Sequence, residues 1–260
     1  MFCVSFAGAR INDMNMKEAI NKIEELISQG RFSYIVTPNA AHIVLLQKNK
    51  QFKKIYQKAA LAVPDGMSLL WGMKILGRPL KERVTGSDLL STFCEVAAKK
   101  GYRLFFLGAG FGIAAKAAEV LTQKNPGLKI VGTYSPPLGF ENSEEENRRI
   151  IQMIKEAKPH VLFVGLGAPK QEKWIWEHKD ELAVPVSVAA GAAFDFIAGT
   201  VKRAPKWMQK YGLEWLFRLC QEPRRLWRRY LIGNPIFLWL VGKEFLKIRM
   251  LGRNEGLEKK

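Results

Sequence analysis

Seven short apolar runs, separated by longer amphipathic stretches, constrain the fold of this chain more than any other feature. The runs cover 3–7, 32–37, 61–64, 103–109, 129–134, 161–166 and 185–191. Several, such as "RLFFLGA" and "VLFVGL", are apolar at successive positions rather than at alternate ones. A strand that is apolar on both faces must be covered on both faces, which is the condition of a parallel sheet between helices. The stretches 16–29, 40–48, 52–59, 67–75, 87–100, 112–124, 143–157 and 170–182 repeat their apolar residues at helical spacing. The expectation is an α/β, Rossmann-like fold, with a mostly parallel sheet sandwiched by helices and ligands at the carboxyl ends of the strands.

Almost half of the 260 residues (48%) are hydrophobic, which supplies a sizeable core and excludes global disorder. Cys3, Cys94 and Cys220 are far apart, with no CxxC and no Cys/His cluster. A disulfide framework and a zinc site are therefore not expected, and a reducing, cytoplasmic setting fits. No basic segment followed by an apolar core opens the chain, so a signal peptide is not expected either.

The formal net charge of +17 is unevenly placed. Residues 201–260 hold 15 Lys and Arg against 5 Asp and Glu, whereas the first 200 hold 26 against 19. Four of the seven tryptophans, Trp207, Trp215, Trp227 and Trp239, lie in the same last quarter. On a helical wheel of 207–221, Lys210, Glu214, Arg218 and Gln221 form a narrow polar arc, and most of the rest is apolar. Such a helix needs cover from the core, a partner or lipid. The apolar run 231–242 is interrupted by Asn234 and Pro235 and is too short for a span of about 20 residues. Trp beside Arg, Lys, Leu and Phe is the composition of an interfacial membrane helix, although core helices with a solvated basic face remain an alternative. The division expected is an α/β core over 1–200, a basic, Trp-rich helical appendage over 201–250, and a frayed polar tail over 251–260. Self-association would cover the apolar appendage away from a membrane. A basic tail also admits nucleic acid, but the long apolar faces and tryptophans suit lipid, so nucleic acid is not the expected partner.

Strand, glycine loop and helix follow one another in "FFLGAGFGIAAKAAEVL", where Gly108, Gly110 and Gly112 let backbone approach a ligand. The spacing is GxGxG rather than GxGxxG, and the next strand ends in Tyr134-Ser135 with no carboxylate for a ribose, so a dinucleotide is disfavoured and a nucleotide diphosphate stays open. "VGLGAPKQEKWIW" repeats the arrangement, with Lys170 and Gln171 at a helix start. A lysine there opposes the helix dipole, a penalty that a bound anion would remove. Thr37 and Asn39 end another strand, and Asn39 is equally a helix cap. Asp65 follows Pro64 at the end of an apolar run and is either a cap for the helix near Met67 or a catalytic base. Arg83 lies in a turn-like segment where a guanidinium pairs well with phosphate. Asp195, between two phenylalanines, is either exposed or hydrogen-bonded. There is no P-loop, no GxSxG, no HExxH and no Asp-x-Asp pair for a metal on a diphosphate. A leaving diphosphate would therefore be met by cationic side chains and helix N-termini.

Taken in order, "TPNAAH", "VPDGMSLLW", "RVTGSDLL", "FFLGAGFG", "VGLGAPKQEKW" and "GAAFDFIAGTVKRAPKWMQKYGLEWLFRL" resemble the WecG/TagA/CpsF bacterial glycosyltransferases over roughly residues 3–235, most nearly the branch that builds the linkage unit of wall teichoic acid. Phe111 is the one departure, in a loop where a smaller residue is expected. The resemblance implies transfer of N-acetylmannosamine from UDP-ManNAc to the 4-hydroxyl of GlcNAc on undecaprenyl diphosphate. It implies inversion at the anomeric carbon, no metal or other cofactor, and work on the anionic inner face of the cell membrane. Relatives use the uronic acid or glucose instead. It makes Asp65 the general base, places Thr37 and Asn39 in the acceptor or sugar pocket, and sets Gln171 on the donor. Arg83 with Arg218, Arg225 and Arg228 would meet the diphosphates, and Gly108, Gly110, Tyr134, Lys170 and Asp195 complete the substrate-binding candidates.

Overall fold

The computed structural model describes residues 2–251 and 257–259, the last three and Leu251 by backbone alone. The chain forms two compact units that are each discontinuous in sequence. One comprises 1–16, 37–85 and 203–260, and the other 17–36 and 86–202.

The second unit carries the expected parallel sheet. Five of its strands run in the order Ser33–Val36, Val186–Ala189, Val161–Gly165, Arg103–Gly108, Lys129–Tyr134, and every neighbouring pair is parallel. The central runs Leu104–Leu107 and Val161–Val164 are buried at every position, which is why they read as continuous apolar segments. Lys129–Tyr134 pairs on its other side with no described strand of this sheet and is only half-buried. Helices Gly86–Lys100, Ile113–Lys124, Glu144–Ala157 and Lys170–Glu177 belong to the same unit. Local chemistry sets their ends. Ser143 accepts a hydrogen bond from the Glu146 N–H, three glutamates sit in the first turn against the helix dipole, and Lys158 closes the helix in the left-handed region. The chain leaves Arg103–Gly108 for the strand on one side, and leaves Val161–Gly165 for the strand on the other. Strand order therefore reverses between these two neighbours, the place at which sheets of this kind bind ligands.

The first unit departs from the sequence reading in two places. The run at 3–7 was expected among the parallel strands. Phe2–Phe6 instead pairs antiparallel with Ala9–Asn12, because Ala7 (φ 48°) and Gly8 (φ 85°) make a two-residue turn with both angles positive. The polar arc drawn over 207–221 assumed one helix. The chain forms Lys206–Lys210 and Glu214–Gln221, broken at Gly212 (φ 66°), where a Cβ would come within 2.2 Å of the Trp71 ring.

Pro223–Trp227, a π-helical turn at Arg228–Ile232 and the helix Gly233–Leu251 follow. Phe237 and Val241, one turn apart, pack on Gly72 of helix Met67–Ile75 so closely that a Cβ there would lie 3.0 Å from each. The same helix exposes Leu238, Trp239 and Leu246. No helix among the described residues is long and apolar enough to cross a membrane. Of the expected tail, residues 252–256 and 260 lie outside the described residues, and Leu257–Lys259 pairs antiparallel with Phe2–Val4.

Candidate functional site

In the first unit, three backbone segments converge on Asp65. Its N–H donates to Pro38 O (2.8 Å), and Val84 N–H donates to Pro64 O (2.8 Å). These two bonds set Thr37–Asn39, Pro64–Asp65 and Arg83 side by side. Asp65 does not cap the following helix. Gly66 occupies the cap position at φ 106°, a conformation suited to glycine, and Asp65 is left one residue outside. Asn39 is a cap, since its Oδ1 accepts the His42 N–H at 3.1 Å. Thr37 is buried beside it.

Asp65 is half-buried, and its carboxyl is pushed up to about 6. Burial is the main cause and the negative charge of Glu214 adds to it, while Arg83, Arg229 and Arg218 pull the other way. Around the acid stands a charged network. Arg83 donates to Glu214 (2.9 Å) and to Gln209 (3.3 Å), and Arg203 approaches the other Glu214 oxygen at 3.8 Å. Arg218 faces Glu222 at 3.9 Å. The Arg229 Nε is buried with no hydrogen-bond partner among the described residues, and its guanidinium lies over the Tyr230 ring. Arg229 also acts on His42, which burial first and this charge second hold down at about 3, so His42 is neutral. The His42 Nδ1 shares a 2.5 Å hydrogen bond with the Tyr56 hydroxyl.

In the second unit, the loops at the reversal of strand order are built from glycine. Ala109 N–H donates to Gly165 O at 2.8 Å, and a Cβ on Gly108 (φ 117°) would lie 2.6 Å from that oxygen. A Cβ on Gly165 would meet the Phe194 ring at 2.6 Å. Two of the glycines are thus required by loop-against-loop packing, whereas Gly110 is exposed and leaves backbone bare. Lys170 begins its helix, and the cost against the helix dipole is offset within the chain by Glu141, 2.6 Å away. The charge expected from a bound anion is already supplied. Gln171 is 1% exposed, its Oε1 accepting the Gly191 N–H (3.0 Å) and its Nε2 donating to Glu172 (2.9 Å). It ties two sheet-end loops together. Tyr134 donates to Glu146 and carries Arg149 over its ring, and Asp195 is half-buried in a one-and-a-half-turn helix.

Thr37, Asn39, Asp65, Arg83 and Arg218 thus come together in the first unit. Gly108, Gly110, Tyr134, Lys170, Gln171 and Asp195 lie at or near the carboxyl ends of the strands in the second. Arg225 is exposed and paired with Glu222 at 2.6 Å, and Arg228 is exposed over the Trp227 ring. Neither is among the charges that act on Asp65. The sequence reading missed Arg229, Arg203 and Glu214. Glu214 stood on the polar arc of the appendage and Arg203 in a quoted motif, so their residue types were in view, but nothing in their spacing assigned them to Asp65.

These features define an α/β protein with glycine-built loops at the carboxyl ends of a parallel sheet and a half-buried carboxylate among arginines. The glycosyl transferase WecG/TagA/CpsF family model matches residues 4–250, and the chain belongs to this family. The N-acetylglucosaminyldiphosphoundecaprenol N-acetyl-beta-D-mannosaminyltransferase of Bacillus spizizenii is 32% identical over 205 residues, 79% of this chain and 77% of its own length. The Staphylococcus aureus protein of the same name is 27% identical over 248 residues, 95% of this chain and 94% of its own.

Proposed function

We propose that this chain transfers N-acetylmannosamine from UDP-ManNAc to the 4-hydroxyl of the GlcNAc on undecaprenyl diphosphate, inverting the anomeric carbon without a divalent metal. The names of its relatives support the reaction. The observation that carries the mechanism is Asp65, whose carboxyl is raised to about 6 and whose backbone is fixed by its N–H bond to Pro38 O. A single displacement needs one base to take the acceptor hydroxyl proton as the oxygen attacks C1 of the sugar. A carboxylate near 6 is ionised at neutral pH and is a stronger base than one near 4. Arg83, Arg218 and Arg229 supply fixed cations in the same unit as Asp65 for diphosphate oxygens.

The acceptor's polyprenyl chain stays in the bilayer, so the enzyme works on its surface in this reading. Exposed Trp207, Trp227, Trp239, Leu231, Ile232 and Leu238, with Lys243 over the Trp239 ring, give the first unit the amphipathic side chains of an interfacial anchor.

The test is UDP release in EDTA from UDP-ManNAc with a GlcNAc-diphosphate-lipid acceptor. Acceptor-dependent turnover in the wild-type protein, lost by about a hundredfold or more in Asp65→Asn, is the expected result. Full activity in the variant would remove Asp65 as base. No turnover with any UDP-sugar would overturn the reaction.

A further inference from the structure

We propose that Phe111 and Leu138 form the seat for the nucleobase of the donor, with the Phe111 ring as its stacking platform. This deepens the UDP-sugar reading and rests on it. Phe111 is 100% exposed and Leu138 101%, more than any other large apolar side chain among the described residues. Nothing within this unit's core uses them. Their loops leave neighbouring parallel strands in register, Leu107 standing opposite Tyr134. The two stems therefore start about 5 Å apart. The Ser135 hydroxyl donates to Gly108 O at 3.1 Å and ties the loops together.

Turn residues flank both tips. Phe111 sits between Gly110 and Gly112, the latter at φ 73° and opening helix Ile113–Lys124. Leu138 follows Pro136 and Pro137 and precedes Gly139 at φ 81°, and the turn after it is fixed by the Asn147 amide donating to Phe140 O at 3.1 Å. The chemistry of Phe111 and Leu138 selects the occupant. A phosphate gains little from a phenyl ring and an isobutyl group, whereas every base has a π-face that stacks on an aromatic ring. Arg103–Gly108, the strand before Phe111, borders the reversal of strand order, where a nucleotide is bound in sheets of this kind.

The experiment is calorimetric titration of the full-length protein with UDP and, separately, with inorganic diphosphate. Phe111→Ala is expected to weaken UDP about tenfold, and Leu138→Ala about threefold, with diphosphate affinity and melting temperature unchanged. Phe111→Trp is expected to restore UDP binding. Wild-type UDP affinity in Phe111→Ala would overturn the proposal and leave the transferase intact. Equal loss of UDP and diphosphate would also overturn it, by showing that Phe111 only shapes the loop. If the wild-type protein binds neither UDP nor any UDP-sugar, the donor reading fails first and takes this inference with it.

Discussion

The charged cluster around Asp65 and the glycine loops at the sheet end are built by opposite means. The first uses side chains from three distant stretches, 37–39, 65–83 and 203–229, and its properties are electrostatic. The second uses backbone from loops that directly follow strands, and its properties are steric, since Gly108 and Gly165 are where they are because nothing larger fits. An acid–base site must set a proton affinity, which needs burial and several charges at once. Close-packed glycine loops need only space and backbone, which a strand–loop–helix supplies locally.

The sharpest way to break this contrast is Asp65→Asn measured for stability as well as rate. Activity should fall by about a hundredfold while UDP affinity stays within about twofold, because the second unit is untouched. The folded-state pKa of Asp65 lies above the unfolded value, so the unfolded chain loses its proton first as pH rises. Stability is then lost between about pH 4 and 6, and the native acid is destabilising above that window. Removing the charge should therefore stabilise the protein by about 1–3 kcal/mol at pH 7.5, with the difference vanishing toward pH 4. Chemical unfolding at several pH values reads this, and an Asn variant less stable than wild type at pH 7.5 would contradict the electrostatics.

Gly108→Val is the counterpart in the second unit. Its side chain would displace Gly165 and should weaken UDP by about thirtyfold or more, while the pH profile of residual turnover keeps its limb near 6. A smaller effect separates the arginines. Arg229 lowers the Asp65 pKa, so Arg229→Ala should move the acid limb of kcat upward from about 6 and reduce kcat at pH 7 by about tenfold. Arg225→Ala should leave both unchanged, because its partner is Glu222 on the surface. Equal effects of the two would remove the distinction drawn between them. Last, Gly72→Val should lower stability by about 1–3 kcal/mol by pushing Phe237 and Val241 away, as a thermal melt would show.

The parallel sheet, the helix capped by Ser143 and the glycine loops were legible in the sequence, because continuous apolar runs, N-cap chemistry and turn glycines act over a few residues. Asp65, Thr37 and Asn39 were legible as strand-end polar residues and Arg83 as a cation in a turn-like segment, and their common neighbourhood was an inference from resemblance until the Pro38–Asp65 and Pro64–Val84 hydrogen bonds placed them together. The hairpin at Ala7-Gly8 was not legible, since alanine at positive φ is uncommon and needs tertiary support. Nor was the choice among the arginines of "RRLWRR". The helix breaks at Glu222 (φ −130°, ψ 58°) and widens into a π turn at Arg228–Ile232, so an angular phase counted from Arg218 is lost before Arg229. Local periodicity by itself determined the layers of this protein and the places where its loops bare backbone. Which charges surround Asp65, and hence its proton affinity, only the tertiary structure decided, because Coulomb interactions depend on distance in space and on burial, and neither is a function of separation along the chain.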